Sequence, residues 1–134
     1  LMNYDLNFDP RYVKVGNWEY DSGYTQGKEL LSMTDRPTAI FAMNDLMAGG
    51  VIDAATELGI DIPRDLSLVG FDNKECSFFY IPKLTTMALP LSEMGEKSAE
   101  ILINLINNKK VKDNRIELKC NLIERNSVAV RLVK

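Results

Sequence analysis

The sequence predicts an α/β fold built on a doubly wound parallel sheet, and three observations carry that reading. Residues 39–43 are a short, unbroken apolar run, the pattern of a strand buried on both faces of a sheet, and residues 66–71 read as a second apolar strand. Such runs alternate with helix-like stretches in the order β-α-β-α-β. Each strand also ends on a residue able to meet a ligand, namely Trp18, Asn44 or Asp72. A right-handed crossover makes successive strands parallel, so these ends share the carboxyl edge, where ligands bind in open α/β sheets.

In chain order, the lead-in Asn7-Phe8-Asp9-Pro10 is polar and turn-rich. Residues 12–15 alternate and predict a strand ending at Gly16-Asn17-Trp18. Asp21 or Ser22 then starts a helix that carries Tyr24, Gly27, Leu30, Leu31 and Met33 inward. The second strand covers 39–43. After it, Asn44 or Asp45 can cap a helix whose apolar positions are Met47, Val51, Ala54, Ala55 and Leu58. Gly59 supplies the left-handed stop, Pro63 closes the linker, and the third strand runs over 66–71 to Asp72.

Beyond Asp72 the alternation changes. Residues 73–83 are expected to form a loop, yet Phe78, Phe79, Tyr80 and Ile81 stand in a row within it. So apolar a loop either lids the domain's own core or forms a subunit interface. Residues 84–89 are extended and stopped by Pro90. Ser92 is expected to cap the next helix, with Glu93 and Glu96 near its positive end. Along it Met94, Ala99, Ile101, Leu102, Ile103, Leu105 and Ile106 form an arc so broad that the helix expects neighbours on two sides. A polar loop over 107–114 follows. Ile116, Leu118, Cys120 and Leu122 then alternate with polar residues and predict a one-sided final strand, after which the tail 127–134 is unassigned.

Composition excludes several classes of function. With 134 residues, 46% hydrophobic and 26% charged, the chain is one globular domain able to bury its own core. A net charge of −3 and a pI near 5.0 argue against gripping nucleic acid unaided. No apolar run is long enough to span a bilayer, and the first residues lack the pattern of a secretory signal. Leu1 does not resemble a natural start, so a fragment is expected. Cys76 and Cys120 fit no metal-binding or redox pattern, and the chain contains no histidine. No metal or cofactor is therefore expected. The commonest general base is absent, as is any glycine-rich phosphate loop, and both absences disfavour an enzyme.

Several motifs together resemble a known family, the lactose-repressor-like (LacI/GalR) bacterial transcription regulators. They are Asp21-Ser22-Gly23-Tyr24, Pro37-Thr38-Ala39-Ile40-Phe41, Asn44-Asp45 and Pro63-Arg64-Asp65-Leu66-Ser67-Leu68-Val69-Gly70-Phe71-Asp72. Leu84-Thr85-Thr86 and Glu124-Arg125-Asn126-Ser127 complete a series that keeps the family's order and spacing over nearly the whole chain. The resemblance implies a cytoplasmic regulator in which a helix-turn-helix headpiece joins an effector-binding part similar to type I periplasmic sugar-binding proteins. This chain would be the C-terminal subdomain of that part, without the headpiece. The helix at 92–107 would belong with the N-terminal subdomain.

The resemblance further implies effector contacts at Trp18, Asn44 and Asp72 and a homodimer interface at Phe78, Phe79, Tyr80 and Ile81. Those three effector positions suit a sugar or nucleoside. A carboxylate can accept two hydroxyl hydrogen bonds, an amide can donate and accept, and an indole can stack on a ring. Each also has a plainer reading: Asn44 as a helix cap, Asp72 as a partner for loop amides, Trp18 as core filler. Two departures stand out. Leu89 replaces a glutamine common in the family, which loosens the expectation of a typical sugar, and Gly49-Gly50 is expected to loosen its helix. The competing function is a sugar-binding protein of a transporter or chemoreceptor system, which shares the fold.

Overall fold

A computed structural model of the chain describes residues 8–111 and 115–130. The first residues of the lead-in, part of the polar loop at 107–114 and the end of the tail lie outside them. The described elements run α1 (Tyr20–Leu31), β1 (Ala39–Phe41), α2 (Asp45–Glu57), β2 (Ser67–Asp72), α3 (Cys76–Phe79), β3 (Thr85–Ala88), α4 (Leu91–Ile106) and β4 (Asn121–Ile123).

The four strands make one sheet in the order β1-β2-β3-β4. β1, β2 and β3 are parallel, and β4 joins β3 antiparallel with Met87 opposite Leu122. The α/β class read from the apolar runs is the observed one, with an antiparallel strand at one edge. The core packs Ala48, Val51, Ile52 and Ala55 of α2 with Leu66 and Leu68 around β2, and with Leu31, Ala42 and Leu84. Leu66, Leu68 and Leu84 are fully buried, each contributing about 1.5–3 kcal/mol relative to an exposed side chain.

The packing of α1 on α2 depends on glycine. A Cβ at Gly23 would stand 2.1 Å from the Met47 carbonyl oxygen, and one at Gly50 would stand 2.3 Å from the Tyr20 oxygen and the Tyr24 nitrogen. The two backbones thus touch where only a hydrogen fits. Gly49 makes room in the same way for the Tyr80 phenol. The pair Gly49-Gly50 therefore tightens packing around α2, contrary to expectation, because each missing Cβ is replaced by a neighbour.

Three element predictions need correction. Residues 12–15 are not a paired strand. Pro10–Tyr12 is a 3-10 turn capped by Asp9, whose Oδ1 accepts from the Arg11 amide at 2.9 Å. Residues 13–16 run on without joining a ladder. A groove of about 470 Å³ is lined by both segments, with Val13 and Gly16 among its residues together with 39–43. Alternation marked an extended segment, but pairing needs an edge within reach.

The last strand is likewise shorter than the alternation over 116–122, because β3 stops two residues before Pro90 and offers it only three paired positions. Ser92 does not cap α4. The helix begins at Leu91 behind Pro90, and the Ser92 hydroxyl reaches Glu96 Oε1 at 3.5 Å instead of a backbone amide. The loop at 73–83 contains one short helical turn, α3.

Candidate functional site

Phe41 of β1 pairs in register with Val69 of β2, and Asn44 and Asp72 each lie three residues further on. Two parallel strands of equal advance deliver both residues to one edge of the sheet. Trp18 arrives at the same edge from the turn before α1.

Asn44 joins the pieces. Its Oδ1 accepts from the Met47 amide at 2.8 Å, capping α2, while its Nδ2 donates to the Trp18 carbonyl at 2.8 Å. The cap reading of Asn44 is therefore correct, and the same side chain also fixes the turn that presents Trp18. Trp18 has a positive φ of 71° and is 59% exposed, so it fills no core. Asp72 also escapes its plainer role. Among the described residues its carboxylate meets only Lys74 Nζ, at 4.0 Å, and the loop amides that follow are satisfied elsewhere. An exposed ring, a positioned amide and an uncommitted carboxylate thus line one rim.

Beneath the rim lies a polar layer that sequence reasoning missed. Asp45, fully buried, accepts from the Lys74 amide at 2.7 Å through Oδ2 and from the Thr86 hydroxyl at 2.6 Å through Oδ1. Burial pushes its carboxyl above the ordinary aspartate range; Thr86 and the Lys74 amide pull the other way, and the nearby Asp72 charge adds to the rise. Arg125 stitches the strands from below, donating to the Leu84 carbonyl at 2.6 Å, Ser77 Oγ at 3.1 Å and Asn73 Oδ1 at 2.7 Å. Ser127 accepts from the Thr85 amide at 2.8 Å and donates to the Leu68 carbonyl at 2.6 Å. The available signal was the run of buried-type positions carrying polar residues: Asp45, Thr85 and Thr86.

The apolar loop divides in two. Tyr80 folds inward against the core, and burial together with a hydrogen bond to Cys76 raises its phenol above the ordinary tyrosine range. Phe78, Phe79 and Ile81 are exposed. Phe78 and Phe79 meet edge to face at 5.9 Å, and Lys83 Nζ sits 3.9 Å above the Phe78 ring. The loop is a lid at Tyr80 and an open apolar patch beside it. A second groove, about 370 Å³, lies between Ile52 and Pro82 and away from the rim. No cluster suited to a metal occurs among the described residues, and none of their helices is long and apolar enough to cross a membrane.

A parallel sheet with a ring, an amide and a carboxylate gathered at its carboxyl edge has the build of an α/β lobe of the binding-protein class. The chain belongs to the periplasmic binding protein-like family, whose domain description matches residues 3–128, in the form used by LacI/GalR regulators for effector binding. It is 38% identical over 124 residues to the HTH-type transcriptional repressor PurR of Salmonella newport (strain SL254), covering 92% of this chain and 36% of that protein. A transcriptional regulator CelR–cellobiose complex superposes with a TM-score of 0.88 at 28% identity, over 94% of this chain and 38% of that one. The Lac repressor dimer bound to operator and the anti-inducer ONPF gives 0.79 at 36% identity, over 86% and 40%. The chain thus spans a little over a third of the length of the curated relatives it matches.

Proposed function

We propose that this chain is the effector-sensing lobe of a LacI-type transcription regulator that works as a cytoplasmic homodimer. A small molecule, a sugar or a nucleoside, binds across the rim, with Trp18 stacking on its ring and Asn44 and Asp72 meeting its hydroxyls. The observation that carries this reading is the shared edge of Asn44 and Asp72, fixed by equal advance from one register pair. A second lobe closes over the ligand, and differential affinity for the closed and open states alters DNA binding by a helix-turn-helix headpiece outside this chain.

The exposed faces of α4 suit contact with that second lobe, since none of its residues is buried. Phe78, Phe79 and Ile81 suit the dimer interface, with Tyr80 as the inward anchor of the same loop. A transport or chemoreceptor role is the weaker reading, because the relatives named above are repressors and regulators. No residue here is assigned a catalytic role.

A thermal-shift screen of sugars and nucleosides on the intact regulator tests the reading, since a binder raises apparent stability by mass action. Asp72→Ala is expected to abolish the shift while leaving the ligand-free melting temperature within a few degrees of wild type. Undiminished binding by that variant removes Asp72 from the site.

A further inference from the structure

We propose that Asp45 is the positioning residue of the rim, a buried carboxylate that holds the turn after β2 and thereby sets where Asp72 meets a ligand. The proposal rests on the reading of Asp72 as a ligand acceptor. Asp72 and Asn73 both have positive φ, 101° and 54°. Residues with a Cβ adopt that region at a cost, and it persists only where surrounding contacts over-determine it.

The contacts to the backbone of this turn come from the Asp45–Thr86 pair, beside the side-chain bond from Arg125 to Asn73 Oδ1. Asp45 Oδ2 takes the Lys74 amide at 2.7 Å, and Thr86 Oγ1 takes the Asn73 amide at 3.3 Å while donating to Asp45 Oδ1 at 2.6 Å. Two consecutive amides directly after Asp72 are thus held by one buried carboxylate and its hydroxyl partner. Asp45 also follows Asn44 directly and opens α2, so a single side chain joins the turn bearing Asp72 to the helix start capped by Asn44.

The fold makes space for this carboxylate at some cost. A Cβ at Gly70 would come within 2.4 Å of Asp45 Oδ1, so the strand is bare where the oxygen lies. Both oxygens meet neutral donors, a backbone amide and a hydroxyl, and a buried charge without a cation in contact is an expensive way to fill a core. The helix N-terminus offsets part of that expense. A strong acceptor at this position is what holding two strained residues requires.

The test uses the intact regulator as wild type and as Asp45→Asn, Thr86→Val, Thr86→Ser and Asp72→Ala. Amide hydrogen exchange at Asn73 and Lys74 is read without ligand, and cellobiose and adenosine binding are read by calorimetry. Asparagine keeps an acceptor for the Lys74 amide but turns a neutral donor toward the Thr86 hydroxyl, so the charge-assisted bond that hydroxyl makes is lost. Asp45→Asn and Thr86→Val are expected to speed exchange at one or both amides and to weaken binding by about tenfold, the shift expected from one lost charge-assisted hydrogen bond. Thr86→Ser restores both.

Exchange at wild-type rates in both variants overturns the proposal, as do freed amides with unchanged affinity, which would make Asp45 structural only. If Asp45→Asn fails to fold, the Thr86 pair still decides, because its hydroxyl lies outside the helix. Asp72→Ala tests the underlying reading separately. If that variant binds as well as wild type, the reading of Asp72 as a ligand acceptor fails; if neither probe binds wild type, cellobiose and adenosine are excluded as effectors; in both cases the exchange rates still show whether Asp45 holds the turn.

Discussion

Helices α2 and α4 carry comparable loads of apolar side chains, yet eight residues of α2 are buried and none of α4 is. α2 lies against β2, and α1 presses on it through backbone-to-backbone contact at Gly23 and Gly50. α4 presents Met94, Leu102, Ile103, Leu105 and Ile106 to solvent. Apolarity records how much surface a helix must cover. It does not record which stretch of chain does the covering. A helix so exposed gains nothing from its apolar face until a partner arrives, and that need is what supports the proposed contact of α4 with a second lobe.

The largest expected effect tests this contrast directly. Val51 of α2 is buried to 4%, and Val51→Asp places a charge in the core, at a cost above about 4 kcal/mol. Ile103 of α4 is 57% exposed, so Ile103→Asp in this chain changes stability by less than about 0.5 kcal/mol. Denaturant unfolding of the two variants checks the pair. In the intact regulator the Ile103 variant is expected to cost several times more, because the second lobe then covers the position. Equal small effects in both settings would detach α4 from any lobe contact.

The same division sorts what was legible in the sequence. Apolar runs and helical spacing located α2, β2 and β3 because those elements find their partners within the chain, where local pattern and tertiary contact agree. Residues 12–15 and 116–120 carried equally good alternation and formed no ladder, since a strand is defined by its neighbour. At the rim, Asn44 and Asp72 were legible as strand ends, and the register shows them at one edge. Asp45 and Arg125 were not. An aspartate after asparagine resembles an ordinary helix start, and only the fold reveals that Lys74 and Thr86, far along the chain, converge on it.

Glycine offers a finer comparison between the two helices, with opposite signs. Gly50→Ala drives a methyl group into the backbone of α1, and helices packed this closely can relax only by moving apart, so a loss of about 1–3 kcal/mol is expected. Gly95 of α4 has nothing within 4 Å of its would-be Cβ. There Gly95→Ala restores helix propensity without a clash and is expected to stabilise the chain by about 0.5–1 kcal/mol. Melting temperatures of the two variants, one falling and one rising, check the expectation.

The smallest effect is electrostatic and again separates the packed region from the exposed one. The Asp45 carboxyl is raised by burial, so the folded chain holds its proton more tightly than the unfolded chain does. Its contribution to stability is therefore full below the unfolded value, about pH 4, and fades as pH rises through the higher folded value. Glu57, at the solvent end of the same helix, is lowered by the Lys28 ammonium and the Tyr24 hydroxyl. It behaves oppositely, giving support above the ordinary glutamate value that is lost as pH falls through the lowered one. Asp45→Asn is expected to remove the decline above about pH 4 and leave the acid-side loss in place. Chemical denaturation between pH 3 and 7, compared with wild type, reads both slopes. An unchanged slope above pH 4 in that variant would show that the carboxylate titrates alike in the folded and unfolded chains, and that its two neutral donors fully compensate its burial.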